Sequence, residues 1–150
     1  MHGIDARKAT KPQKVDAERL EAIAKKVVDC GFRLHRDVGP GLLESVYEVL
    51  LCEYLKECGL GFARQLVVPI SHRGVIIDNA FRADVLVEGT LLLELKSTEQ
   101  HSPVHAKQLL TYLRLLDLPL GLLMNFGAAS YKEGIHRIGN NYFAPQQIKD

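Results

Sequence analysis

No apolar run in this 150-residue chain is long enough to cross a membrane, which takes about 20 residues. The start, Met1-His2-Gly3-Ile4-Asp5, lacks the basic-then-apolar character of a secretory leader. Cysteine is scarce. Cys30, Cys52 and Cys58 are odd in number and show no Cys-x-x-Cys spacing, which argues against a zinc site or a disulfide framework and points to the cytoplasm. An excess of one charge is missing too: the formal net charge is +1, whereas a dedicated nucleic-acid binder is usually far more basic. An enzyme with a local basic groove is still compatible with that balance. There is no internal repeat and no low-complexity segment. The remaining composition, 47% hydrophobic and 25% charged, suits one globular domain with one core.

Residues 1–15 read as a flexible arm carrying Arg7, Lys8, Lys11 and Lys14 with no apolar period. The arm is either a solubilising tail or a loose phosphate contact. The folded domain is expected over residues 16–140, with a loose tail over 141–150. From Asp16, apolar residues at Leu20, Ile23, Ala24, Val27, Val28 and Phe32 recur at helical steps to about Asp37. Gly39-Pro40-Gly41 breaks the chain, and a second helix runs from Leu42 to about Cys58, closed by Gly59. Strands follow at Phe62–Ser71, with Pro69 marking an edge or a bulge, at Val75-Ile76-Ile77, at Phe81–Val87 and at Leu91–Lys96. Ser102-Pro103 opens a third helix, with serine as cap. Gly121–Phe126 returns as a buried strand, a β-α-β step, and Ile135–Ile138 is a last short strand. This order predicts an α/β sandwich whose central mixed sheet is flanked by helices.

Two of those strands carry charges among apolar neighbours: Asp84 in one, Glu94 and Lys96 in the next. Charges in core strands are costly unless something pairs or binds them. A two-residue turn at Gly89-Thr90 would pair Asp84 with Leu95 and split the charges across the sheet. An odd loop centred on Gly89 pairs Asp84 with Glu94 and Arg82 with Lys96, and gathers all four polar groups on one face. The odd loop is the one expected, and Gly89 suits the left-handed position it needs. By strand alternation, Arg82, Asp84 and Leu86 share a face, as do Leu92, Glu94 and Lys96.

Two carboxylates beside a lysine suit a hard divalent cation and phosphodiester chemistry. Mg²⁺ binds through one or two carboxylates and keeps several waters, and Mn²⁺ can replace it. Asp84 and Glu94 are the expected metal ligands, with the Leu95 carbonyl as a further one. Lys96 is expected to orient the attacking water and to stabilise charge developing on phosphorus. Glu44 shares a helical stripe with Tyr47, Leu51 and Leu55, at the edge of the apolar arc of Leu43, Leu50 and Tyr54. It is either a third carboxylate at the metal or a locally paired surface glutamate. Gln108 and Tyr112 lie one helical turn apart, on a face shared with His105. They either cap the sheet edge or serve the reaction, Gln108 by positioning water or phosphate and Tyr112 by packing on substrate. His35, near the end of the first helix, is a minor candidate at the same site.

These residues resemble a known pattern. Asp84 followed by Glu94-x-Lys96 resembles the motif of the PD-(D/E)xK nuclease superfamily, with Ala83 where the naming proline would stand. Gln108-Leu109-Leu110-Thr111-Tyr112 is similar to the Q-x-x-x-Y motif of its RecB-like exonucleases. Gly41-Leu42-Leu43-Glu44-Ser45-Val46-Tyr47 resembles the signature of the small bacterial GxxExxY proteins. His35 before Gly39-Pro40-Gly41, Arg82-Ala83-Asp84, Pro103-Val104-His105 and Asn125-Phe126 agree with that signature. The resemblance covers roughly residues 16–140. It implies a restriction-endonuclease-like core and a Mg²⁺-dependent nuclease site of Glu44, Asp84, Glu94 and Lys96, supported by Gln108 and Tyr112. Contacts to a nucleic-acid substrate, most naturally DNA, then fall to His35, Tyr47, Arg82, His105 and Tyr112.

The expected function is metal-dependent hydrolysis of nucleic-acid phosphodiesters. The alternative is a catalytically silent module on the same fold that binds nucleic acid or a protein partner. A homodimer is a further expectation, through apolar residues of the opening helices or through Leu120 and Leu122.

Overall fold

The computed structural model describes residues 16–145, so the basic arm over 1–15 and the last five residues lie outside the described part. The first helix, α1 (Ala17–Val38), starts where the Asp16 carboxylate accepts the Arg19 N–H at 2.7 Å, a side-chain N-cap. Its buried stripe is Leu20, Ile23, Ala24, Val27, Cys30, Gly31 and Leu34. Phe32, expected on that stripe, lies half out of it, its ring edge-on to Tyr131. Helix α2 (Glu44–Glu57) starts two residues later than predicted. Leu43 is its N-cap and is 73% exposed, so it leaves the apolar arc assigned to it.

The strands β1 (Phe62–His72) and β2 (Val75–Val87) form one long antiparallel ribbon, joined by the tight turn Arg73-Gly74 with both residues at positive φ. The two short predicted strands at Val75 and Phe81 are thus a single element. The register shifts between Val68 and Ile70, so Pro69 marks both an edge strand and a bulge. Beyond the bulge, Ser71 to Asn79 is exposed throughout.

The strand β3 (Leu91–Lys96) pairs antiparallel with β2 and parallel with β4 (Leu120–Asn125), and helix α3 (Pro103–Leu116) makes the crossover. Ser102 is the N-cap of α3, but its hydroxyl makes no capping bond; its carbonyl accepts the His105 N–H instead. A short 3₁₀ turn, Lys132–Gly134, leads into β5 (Ile135–Gly139), antiparallel to β4. The sheet order is β1-β2-β3-β4-β5.

Helices cover both faces of the sheet. On one side, α1 and α2 pack on Val85, Val87, Leu91, Leu93, Leu95, Leu120 and Leu122. On the other, α3 packs on Val68, Ala83, Leu86, Leu92 and Leu123. Coverage on both faces explains why β4 is buried along its whole length and why the leucines of β3 are buried on both of its sides. Each fully buried leucine contributes about 1.5–3 kcal/mol. Leu120 and Leu122, offered above as a dimer surface, are core residues at 1% exposure and are withdrawn from that role. No helix among the described residues is long and apolar enough to cross a membrane.

Candidate active site

The β2–β3 hairpin closes through Glu88-Gly89-Thr90, with Glu88 and Gly89 at positive φ. This is the odd loop expected from sequence. It sets Val85 opposite Leu93, Leu86 opposite Leu92 and Val87 opposite Leu91. One step further, the same register brings Asp84 to Glu94, and there side chains replace the main-chain ladder. The Asp84 N–H donates to Glu94 Oε1 at 3.3 Å, and the Leu95 N–H donates to Asp84 Oδ2 at 2.8 Å. The ladder never reaches Arg82 and Lys96. Arg82 is exposed and pairs with Val67 of β1, and its expected pairing with Lys96 on the other edge does not form.

The face expected for Arg82, Asp84 and Leu86 is also revised. Ala83 and Leu86 both pack on the α3 side, while Val85 packs on the other, so alternation is interrupted at Asp84. Opposite it on β1, Gln65 takes φ 52°, and no ladder pair forms between Arg64–Val85 and Leu66–Ala83. A non-glycine residue there is strained unless its surroundings hold it. Glu48 of α2 holds it. This buried carboxylate accepts the Gln65 amide at 2.6 Å and Arg64 Nε and a terminal guanidinium nitrogen at 3.0 and 2.7 Å. The ribbon turns over at this point and brings Asp84 to a cleft of about 370 Å³, lined by Glu44, Ser45, Glu48, Arg64, Gln65 and Asp84. The sequence reading missed Glu48, Arg64 and Gln65. A signal existed: Glu48 continues the stripe that leads to Leu51 and Leu55, where a charge needs a partner as much as it does in a core strand.

Burial dominates the electrostatics. It pushes the Glu94 carboxyl up to about 8, aided by the charge of Asp84 and opposed by Lys96. The Asp84 carboxyl is also raised by burial, with the Leu95 N–H pulling it down and the charge of Glu48 adding to the rise. Lys96 Nζ stands 4.0 Å from Glu94 Oε2. Tyr112, buried on α3 and stacked on Phe81 with centroids 4.0 Å apart, has its phenol raised by burial and then by Glu94 and Asp84. Gln108 lies beside that hydroxyl and is itself exposed. His105 is lowered by burial and by Lys96, while Glu44 raises it, which puts these three groups in one neighbourhood. Glu44 is exposed at the first turn of α2 rather than buried against the sheet.

Two other candidates occupy different places. Tyr47 is fully buried. It stacks on Phe126 with centroids 4.5 Å apart, donates to the Gly39 carbonyl at 2.5 Å and accepts the Leu42 N–H. It orders the Gly39–Leu42 loop and presents nothing to a ligand. His35 lies against Phe126 and Tyr131 in the same aromatic cluster, its Nε2 buried without a partner. Tyr47 is thus wholly inside the core, while His35 keeps part of its surface exposed.

The end of β3 is clamped from two sides. The Ser97 hydroxyl donates to the Leu42 carbonyl at 2.6 Å. The buried Asn125 amide accepts the Thr98 N–H at 3.0 Å and donates to the Thr98 carbonyl at 2.9 Å. Replacing Asn125 with alanine strips three hydrogen bonds, including one from the Gly127 N–H, and leaves main-chain groups without partners. The expected loss is about 2–4 kcal/mol in urea unfolding, with any Lys96-dependent activity falling alongside.

Asp84 and Glu94 suit a hard divalent ion. Each gives one oxygen to a main-chain N–H, their donors are all oxygen, and their crowded charge is relieved by a cation. Among the described residues no third His, Cys, Asp or Glu side chain converges with them to make a cluster of three. No curated protein and no solved structure matches the chain. The family model of the PD-(D/E)XK nuclease superfamily matches residues 21–138. That span takes in β1 to β4, all of β5 but Gly139, α2, α3 and most of α1, so the sheet flanked by helices is a restriction-endonuclease-like core, and the chain belongs to the PD-(D/E)XK nuclease superfamily.

Proposed function

We propose that this protein is a Mg²⁺-dependent nuclease that hydrolyses DNA phosphodiester bonds, within the GxxExxY branch of the superfamily. The observation that carries this reading is the joining of Asp84 and Glu94 through each other's strands, with Lys96 beside them. Asp84 and Glu94 would hold the ion, Mg²⁺ or Mn²⁺. When bound, it supplies Lewis-acid polarisation of the phosphate and acidifies a coordinated water. Lys96 orients the attacking water and offsets negative charge growing on the phosphoryl oxygens. Gln108, exposed at the mouth, donates to a phosphate oxygen or to that water. Glu44 lines the cleft as an outer carboxylate. Arg82 and His105 face the substrate backbone, and Tyr112 holds the sheet end against which the substrate lies. Glu48 acts one step back, by fixing Gln65 and with it the turn-over that exposes Asp84.

The test is cleavage of labelled single- and double-stranded DNA and RNA with Mg²⁺ or Mn²⁺, beside Lys96→Ala. Cleavage is expected for the wild type and is expected to fall by about 10²–10³ in the variant, the usual loss of one charge-stabilising group. A folded wild type that cuts no substrate with either ion, and binds neither by calorimetry, would overturn the reading in favour of a silent binding module.

A further inference from the structure

Away from this site, Cys30 of α1 and Cys58, the C-cap of α2, place their sulfurs 3.2 Å apart. One terminal nitrogen of the Arg33 guanidinium lies 3.2 Å from Cys58 Sγ and 3.6 Å from Cys30 Sγ. The Cys30 sulfur also reaches the Tyr54 carbonyl at 3.6 Å. Cys30 is buried, whereas Cys58 is partly exposed and opens on a cleft of about 410 Å³ that it lines with Lys26, Asp29, Phe32 and Arg33. The third cysteine, Cys52, is buried and touches neither.

We propose that Cys58 and Cys30 are an oxidation site for hydroperoxides, with Cys58 as the attacking thiol and Cys30 as the resolving one. Sensor cysteines of this kind are accessible, stand beside a cation and have a second thiol within reach. Cys58 meets all three conditions. Arg33 sets its guanidinium directly against the Cys58 sulfur, where it can pair with a negative sulfur or oxygen. Burial pushes the Cys30 thiol up to about 11, and its place inside the helix pair leaves Cys58 as the sulfur that an oxidant reaches from the cleft.

The chemistry balances with hydrogen peroxide as oxidant. The Cys58 thiolate attacks one peroxide oxygen, the O–O bond breaks, and the departing hydroxide takes a proton to become water. Arg33 is placed to stabilise that hydroxide. Cys58 is now a sulfenic acid. Cys30 then loses its proton and attacks the Cys58 sulfur, the S–O bond breaks, and a second water leaves. The two thiols give up two electrons and the peroxide accepts them. The product is a disulfide joining the middle of α1 to the end of α2.

The test is to treat the reduced full chain with hydrogen peroxide, alkylate, and measure intact mass and peptides. The expected result is loss of two hydrogens, a linked Cys30–Cys58 peptide, and reversal by dithiothreitol. Cys52→Ser behaves as wild type, and Cys58→Ser forms no bond. Cys30→Ser leaves a sulfenic acid on Cys58 that dimedone traps. Arg33→Gln slows oxidation of Cys58 by on the order of tenfold. Should Cys30→Ser not fold, the linked wild-type peptide and the Arg33→Gln rate still decide. The proposal is overturned if the wild type stays reduced where free glutathione is oxidised, if Cys58 gains oxygen without a cross-link, or if the bond forms through Cys52.

Discussion

Glu94→Gln gives a protein that unfolds at a higher temperature than the wild type in metal-free buffer and has no nuclease activity. The first half follows from burial. The Glu94 carboxyl, 4.5 in an open chain, is raised to about 8 in the fold, first by burial and then by Asp84. Between those values the folded protein keeps a proton that the unfolded chain has released. The stability associated with this group is therefore full below the unfolded value and falls as pH rises. It is lost completely once pH passes about 8. The wild type therefore falls below the variant across that window and is lowest, relative to it, at the top. Glutamine never ionises, and its carbonyl still accepts the Asp84 N–H. Thermal unfolding with EDTA from about pH 5 to pH 9 is expected to show the two curves diverging with pH and then running parallel. Added Mg²⁺ raises the wild type and leaves the variant unmoved. Curves that coincide at every pH would remove the buried-pair account.

Asp84→Asn and Asp84→Ala both abolish cleavage, with losses of at least about 10²–10³, yet they part in stability. The Leu95 N–H is buried and its acceptor is Asp84 Oδ2. Asparagine still presents an oxygen there. Alanine leaves the donor unpaired, at about 1–3 kcal/mol, and opens space beside Glu94. Urea unfolding below neutral pH separates them: the asparagine variant stays near wild type and the alanine variant falls. Asparagine also removes the second-largest cause of the Glu94 shift, so Glu94 titrates lower than in the wild type but above its open-chain value, since burial persists. Carboxyl NMR of Glu94 in the two proteins checks that order.

The residues that formed this hairpin were legible because parity is a strict rule. Once Gly89 was placed at the centre of an odd loop, Asp84 and Glu94 had to meet, and they do. The helix-flanked sheet was legible from the order of elements, two helices, a run of strands, a helix and a strand. What failed was alternation carried through Asp84. It failed because Gln65, a residue with no special preference for positive φ, is held there by Glu48, which comes from a helix 17 residues earlier. Period-2 reasoning looks along one strand and cannot see such a partner. The surroundings of Tyr47 and His35 were hidden from the sequence for a different reason. Aromatic and imidazole rings on a helix face fit a ligand or a core equally well, and only the positions of Phe126 and Tyr131 decided. Leu43 looked apolar and therefore internal, but the backbone needed an N-cap at that position.

The ribbon beyond Pro69 bears on something else. From Ser71 to Asn79 no residue is buried, and the paired strands return to the sheet on the near side of the bulge. The Arg73-Gly74 turn is therefore a splice point. Exposed loop tips of this kind are where insertions are tolerated best. Residues inserted between Arg73 and Gly74 enter an exposed stretch that belongs to neither core layer. A reporter or an affinity peptide can be carried there with the carboxylate pair undisturbed, and amide protons of this segment are expected to exchange long before those of Leu91 to Leu95.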